Sequence, residues 1–247
     1  MKIAVISDIH GNMEALEAVM DDIKKQDCEK IFVLGDYAMA GPEPRKVIDW
    51  FFNRQFDNKI KMIRGNTDDM IANYSPALYQ EVKEKAPVMA EALKNDITLI
   101  HPIQTNFLRS LPLQLEIEES GVKFLLVHGS PRKNNEDILP DTPLEKVEEM
   151  LINVDAQVIL CGHTHLPCGF QTSTKQTVVN VGSIGRPFTE EPKSCYLKIT
   201  VDNGKCVFEH RFVNYDNHKA SDKMRQRHFI GADKLADMLI NPTQRHF

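Results

Sequence analysis

Five short apolar runs in this chain each end in side chains able to hold a metal ion, and that repetition restricts the fold more than any other feature. "KIAVIS" (2–7) leads into Asp8 and His10, "KIFVLG" (30–35) into Asp36, and "KIKMIRG" (59–65) into Asn66. "VKFLLV" (122–127) leads into His128, and "AQVILCG" (156–162) into His163 and His165. Short runs rich in β-branched residues read as buried strands. A single Asp behind a strand is ordinarily a turn or cap residue, and a single buried histidine ordinarily satisfies its hydrogen bonds in a core. Packing gives no reason for all seven to fall at strand ends. In α/β sheets, ligands sit beyond the carboxyl ends of the strands. The pattern therefore gathers one polar site along a sheet edge.

Helical spacing separates the first three runs. Asn12 offers an N-cap to a helix with Met13, Leu16, Met20 and Ile23 at helical intervals; a second helix begins near Pro44, with Val47, Ile48 and Phe51 on one side. Strand, helix, strand, helix, strand implies parallel strands with right-handed crossovers. Residues 70–112 read as a helical excursion, starting at Asp69 and broken at Pro87. His101 within it reads as a surface or packing histidine. Strands then return: "LQLEIEE" and "VKFLLVH" joined at Ser120 and Gly121, then "QTVVNVG", "CYLKITV" and "KCVFEHRFV". Between them, "DTPLEKVEEMLINV" predicts a helix capped by Asp141 or Thr142, with Pro143 in its first turn. The final thirty or so residues are polar and predict helix, with Leu235, Met238 and Leu239 as a weak apolar face. Without repeats or linker composition, the expectation is one domain over 1–247.

Bulk properties exclude several classes of function. Net charge is −5 over 247 residues, with 26% charged and 7% aromatic. That offers no broad phosphate-coating surface and argues against a nuclease acting on long nucleic acid. The N-terminal apolar stretch is too short for a signal core, and no window approaches 18 apolar residues. The expectation is a cytoplasmic protein without a membrane partner. Five cysteines, an odd number in a long chain, argue against a disulfide framework. Cys161 and Cys168 flank the histidine pair, which leaves a zinc site open, although packing weighs more for both.

The donor types select the metal. Imidazole nitrogen with carboxylate and amide oxygen suits Zn, Mn, Fe, Co or Ni, and is too nitrogen-rich for Ca or Mg. Seven donors exceed one tetrahedral site and suit two ions, roughly 3.5–4 Å apart, sharing a carboxylate.

The ordered motifs Asp8–His10 "DIH", Gly35–Asp36 "GD", Gly65–Asp68 "GNTD", His128–Gly129 "HG" and Gly162–His165 "GHTH" resemble those of the calcineurin-like metallophosphoesterases. "VVNVGSIGRP" (178–187) is similar to a segment of the small bacterial branch of that family. The resemblance implies a four-layered α/β sandwich of two mixed sheets flanked by helices, with the metals at one edge. It implies one metal, with manganese the first expectation, held by Asp8, His10 and His165. A second would be held by Asn66, His128 and His163, with Asp36 bridging and a bridging hydroxide as nucleophile. The implied activity is phosphohydrolysis, phosphodiesterase-like in first place, on a small phosphate-ester or nucleotide substrate. Phosphomonoester or dinucleoside-polyphosphate hydrolysis stands second, and a non-catalytic metal scaffold is the remote reading. The sequence leaves oligomerisation open.

One position departs from the family pattern. Many members carry a histidine where this chain has Thr67, and threonine is no general acid near neutral pH. Asp68, which would hold that histidine, remains. The change favours leaving groups of low pKa. Arg186 and Arg132 are candidates to hold a phosphate oxygen through the guanidinium fork; Asn12 and Ser183 are further candidates for substrate contact.

Overall fold

The structure is a computed structural model and describes residues 1–241. Its first half alternates strand and helix: β1 (Lys2–Ile6), α1 (Met13–Lys25), β2 (Lys30–Val33), α2 (Pro44–Phe52) and β3 (Ile60–Met62). These strands pair in parallel, Ile3 opposite Lys30 and Ile31 opposite Ile60. Asn12 caps α1, its side-chain oxygen accepting from the Ala15 amide at 3.2 Å. Four helices follow, α3 (Asn66–Ala72), α4 (Pro76–Lys85), α5 (Pro87–Leu99) and α6 (Pro102–Ser110). Three of them open on a proline, whose fixed φ suits the first turn and whose missing N–H costs nothing there.

The second half supplies β4 (Gln114–Glu119), β5 (Val122–Val127), α7 (Leu144–Met150), β6 (Val158–Cys161), β7 (Cys168–Gln171) and β8 (Thr177–Asn180). It ends with β9 (Ser194–Asp202), β10 (Lys205–Val213), α8 (Asn217–Arg225) and α9 (Ala232–Ile240). One sheet has the order β10-β9-β1-β2-β3 and the other β4-β5-β6-β8-β7. Both are mixed, with antiparallel pairs at β1–β9, β9–β10, β4–β5 and β7–β8.

Period-two alternation explains the layering. Ile3, Val5, Phe32 and Leu34 of the first sheet meet Phe124, Leu126, Val158 and Leu160 of the second in a core between the sheets. The residues between them face outward: Ala4, Ile6 and Val33 pack with α1, α2, α5, α8 and α9. Leu125, Val127 and Ile159 pack with α7. Helices, sheet, sheet and helix give the four-layered α/β sandwich expected from the motifs. No helix among the described residues is long and apolar enough to cross a membrane.

The local differences from the sequence reading have simple causes. Helix α3 starts at Asn66, three residues before the expected Asp69, because Gly65 takes the N-cap position and Asp68 at N3 accepts its amide. Helix α7 starts at Leu144, with Pro143 itself as N-cap at φ −55°, ψ 135°. The Thr142 hydroxyl accepts from the Leu139 amide instead of capping the helix. The short edge strand β7 was not expected, since four residues with a glycine carry little periodicity. The expected C-terminal helix is two helices, packed on the core through Met224, Leu235 and Leu239; its last residues, 242–247, lie outside the described part.

Candidate metal centre

Backbone strain marks the site before any side chain is considered. Asp8, His10, Asp36, His163 and His165 take positive φ, at 56°, 46°, 56°, 68° and 63°. Left-handed backbone costs a non-glycine residue about 1–2 kcal/mol, and such strain persists only where its surroundings over-determine it. Here neighbouring loops do so: the Asp8 amide donates to Gly35 O, the His10 amide to Asp36 O, and the His163 amide to Asp8 Oδ2. Gly162 is required at the close approach, because a Cβ there would lie 2.1 Å from Ser7 Oγ and 2.5 Å from Asp8 Oδ2.

Two buried clusters result, Asp8–His10–His165 and Asp8–Asp36–His128, each with ligand atoms mutually within 4.8 Å. The main chain fixes the tautomers. His10 Nδ1 donates to Met39 O (2.9 Å), His128 Nδ1 to Leu34 O (2.7 Å) and His165 Nδ1 to Arg186 O (2.6 Å). All three Nε2 atoms therefore point inward, and each offers a ligating lone pair when its ring carries no second proton. His10 and His165 bring theirs within 3.1 Å of each other. Asp8 Oδ1 lies 3.2–3.9 Å from all three and has no hydrogen-bond donor. Imidazole nitrogens converging on a buried carboxylate oxygen that lacks a hydrogen-bond partner suit a cation between them, which would take the place of the His128 proton. The donor set fits divalent transition metals, and both clusters are able to bind them.

The buried charges of the centre shift one another's titration. Burial works against the charged form of His128, but the Asp36 and Asp8 carboxylates outweigh it and push the imidazole up to about 10. Burial drives His165 down to about 4 against the pull of Asp8. Burial raises Asp36 and the His128 charge lowers it, leaving it at about 2. Asp36 Oδ2 lies 3.7 Å from His10 Nε2 and 3.3 Å from His128 Nε2, between the clusters. Asn66 turns Oδ1 to His128 Nε2 at 3.0 Å and so joins the second cluster.

Asp68 and Thr67 hold the Asp36 loop. Asp68 is fully buried and accepts from the amides of Asp36 (2.7 Å), Gly65 (2.8 Å) and Tyr37 (3.0 Å). Burial, then the Asp36 charge, push its carboxyl up to about 8, while the amide donors pull the other way. Thr67 donates its amide to Asp36 Oδ1 and its hydroxyl to Ala38 O. That hydroxyl is committed to the backbone.

Several expected contacts fall elsewhere. The His163 ring lies beside His128, centroids 5.3 Å apart, but its Nε2 faces Asp137 Oδ1 at 3.3 Å, outside both compact clusters. Asn12 and Ser183 are fully buried and serve backbone: Asn12 Nδ2 donates to Gly185 O, and the Ser183 hydroxyl donates to Asp8 O while accepting from the Arg186 amide. They brace the Asp8 turn. Arg132 is exposed and bound through its fork to Glu136. Arg186 is half-buried; burial lowers its guanidinium to about 10 against the pull of Asp36 and Asp8. Neither Cys161 nor Cys168 joins a cluster: Cys161 packs in the core under α7, and Cys168 opens β7. Sequence reading missed Asp137 and the Asn180 side chain, which holds Gly162 O and Thr164 Oγ1 in the histidine turn. It also missed Phe188, stacked on His165 at 4.9 Å. Of these, only Asn180 carried a signal, lying within the quoted 178–187 motif.

The chain resembles known proteins along nearly its whole length. It is 28% identical to an uncharacterized protein of Methanocaldococcus jannaschii, over 90% of this chain and 91% of that one. The fold superposes on a hypothetical protein of Pyrococcus horikoshii with a TM-score of 0.86 at 25% identity, covering 98% of this chain and 99% of that one. A metallophosphoesterase of Sphaerobacter thermophilus shares the fold with a TM-score of 0.76 at 24% identity, covering 97% and 98%. The calcineurin-like phosphoesterase superfamily domain matches residues 1–204, the stretch that carries every histidine and carboxylate of the two clusters, and the chain belongs to that superfamily.

Proposed function

We propose that the chain is a dinuclear metal-dependent phosphohydrolase with phosphodiesterase-like activity on a small phosphate ester or nucleotide. The observation that carries this reading is the convergence of three inward Nε2 atoms, each with Nδ1 held by a main-chain carbonyl, on an Asp8 Oδ1 without a hydrogen-bond partner. Asp8, His10 and His165 would hold one cation; Asp36, His128 and Asn66, with Asp8 between, would hold the other. Manganese is the first choice among Mn, Fe, Co, Ni and Zn. When bound, such a pair polarises phosphoryl oxygens and acidifies water.

The protein's own groups do the rest. Main-chain carbonyls keep each imidazole in the ligating tautomer. Asp68 and the Thr67 amide keep Asp36 aimed between the clusters. Arg186 is placed to hold a non-bridging oxygen through its fork. Because the Thr67 hydroxyl is engaged by Ala38 O, it gives no proton to a departing oxygen. Leaving groups of low pKa, such as phenolates or nucleotide phosphates, react best in that situation. That favours diesters, aryl esters and phosphoanhydrides over phosphoserine.

The test is a substrate panel with manganese-loaded protein: bis(p-nitrophenyl) phosphate, p-nitrophenyl phosphate, a dinucleoside tetraphosphate and a phosphoserine peptide. The expected result is diester turnover that chelation abolishes, with the phosphopeptide slowest. Absence of turnover on all four overturns the reading.

A further inference from the structure

A cavity of about 600 Å³ adjoins the centre and belongs to neither cluster. Pro87, Val88 and Met89 from the first turn of α5 form one wall, and Leu235 and Met238 from α9 form another. Arg186 joins the cavity to the centre: its carbonyl holds His165 Nδ1, and its side chain lines the cavity with Nη1 3.7 Å from Met89 Sδ. Among the described residues no carboxylate lies within ion-pair distance of this guanidinium. A half-buried cation with so weak a partner retains donors for an anion. The superfamily domain ends at residue 204, so the α9 wall comes from chain beyond it.

We propose that this cavity is a specificity subsite for an apolar aryl or alkyl ester group of the phosphate substrate, with Arg186 at its junction holding a phosphate oxygen. The inference rests on the phosphohydrolase reading and adds the class of alcohol the substrate carries. The volume is that of a small-molecule site. Lys234, Asp237 and Asn241 also line the α9 side, but most of the lining surface is apolar, and a sugar or second phosphate buried against Val88, Met89 and Met238 would be left unpaired at a cost. An alkyl or aryl group gains from burial, about fourfold in affinity for each methylene enclosed.

The experiment uses the full chain and a series of n-alkylphosphonates from methyl to hexyl, whose P–C bond resists hydrolysis, with binding measured by calorimetry on manganese-loaded protein. The expected result is a dissociation constant that falls about fourfold per methylene. Met238→Gln, nearly isosteric, should flatten this slope, and Val88→Asn should do the same from the other wall, each compared only where thermal melting shows an intact fold. Arg186→Gln should weaken every member by a similar factor and keep the slope, because it removes the anion contact alone. As a measurement free of metal and activity, 1-naphthol fluorescence should report binding to metal-free wild type and loss of binding in Met238→Gln. A flat series in wild type, or a slope untouched by both wall variants, overturns the subsite. A steep series in a protein that turns over no phosphate ester overturns the phosphohydrolase reading while leaving the subsite standing.

Discussion

The two candidate metal clusters share Asp8 and differ in what braces them. The Asp8–Asp36–His128 cluster is anchored across the joint between the sheets, where His128, following β5, donates to Leu34 O, following β2. Its support is the inter-sheet core. The Asp8–His10–His165 cluster is anchored at the periphery, on the carbonyls of Met39 and Arg186. Met39 and Ala40 are themselves left-handed, at φ 75° and 61°. A buried ion pair holds them: Asp96 of α5 accepts from the Met39 amide, and Arg227, just past α8, donates to both Asp96 Oδ1 and Gly41 O at 2.6 Å. The first cluster thus depends on the most ordinary part of an α/β fold, and the second on helices remote in sequence. Chemically similar sites can respond to different parts of one molecule.

Removing the shared oxygen should have the largest effect. Asp8→Asn is expected to abolish binding at both positions, with losses beyond the roughly 100-fold upper range for outer-shell changes. Elemental analysis after desalting checks this, and retention of one full equivalent would show that the clusters do not share Asp8. Arg227→Ala comes next. It leaves Asp96 buried without its cation, a change that costs about 3 kcal/mol, and it releases the segment that aims His10. Metal titration by calorimetry should show one of two binding steps weakened about 10–100-fold, partly restored in Arg227→Lys. Equal weakening of both steps would erase the proposed asymmetry. Asn66→Ala should do the converse, weakening the other step by about tenfold while leaving the His10 side alone.

Asp22 touches neither cluster and gives the smallest effect. Its hydrogen bond from Arg211 holds its carboxyl below the ordinary 3.8, with the Tyr196 hydroxyl adding to the same end. The pair therefore stabilises the fold above that pH and loses its contribution as pH falls below it. Urea unfolding of metal-free Asp22→Asn should show a deficit of about 1 kcal/mol at pH 7 that shrinks as the pH falls below 3.8. A deficit constant with pH would mean that packing, and not charge, is what Asp22 supplies.

What the sequence made legible was what period and punctuation encode. Strand ends carry Asp8, His10, Asp36, Asn66, His128 and His165 to one edge because a buried strand must finish where its apolar run finishes, and the structure brings these six together. The direction of the His163 ring was not legible, since its partner Asp137 sits in an aperiodic loop. Nor was the burial of Asn12 and Ser183, which only the approach of residues 183–185 to the Asp8 turn creates. The carbonyls that select the histidine tautomers have no side-chain signature at all. The weak apolar face of α9 was visible, but its role as a cavity wall required the opposite wall from α5, some 150 residues earlier in the chain.

The cysteines that flank the histidine turn have a last consequence, for reactivity. Burial raises the pKa of every one of the five thiols, Cys168 to about 11 and Cys195 to about 12, with Cys161 held well above the ordinary value. Only the thiolate attacks electrophiles and peroxides. At neutral pH the thiolate fraction is therefore lowered at all five, and alkylating reagents should modify them more slowly than a free thiol.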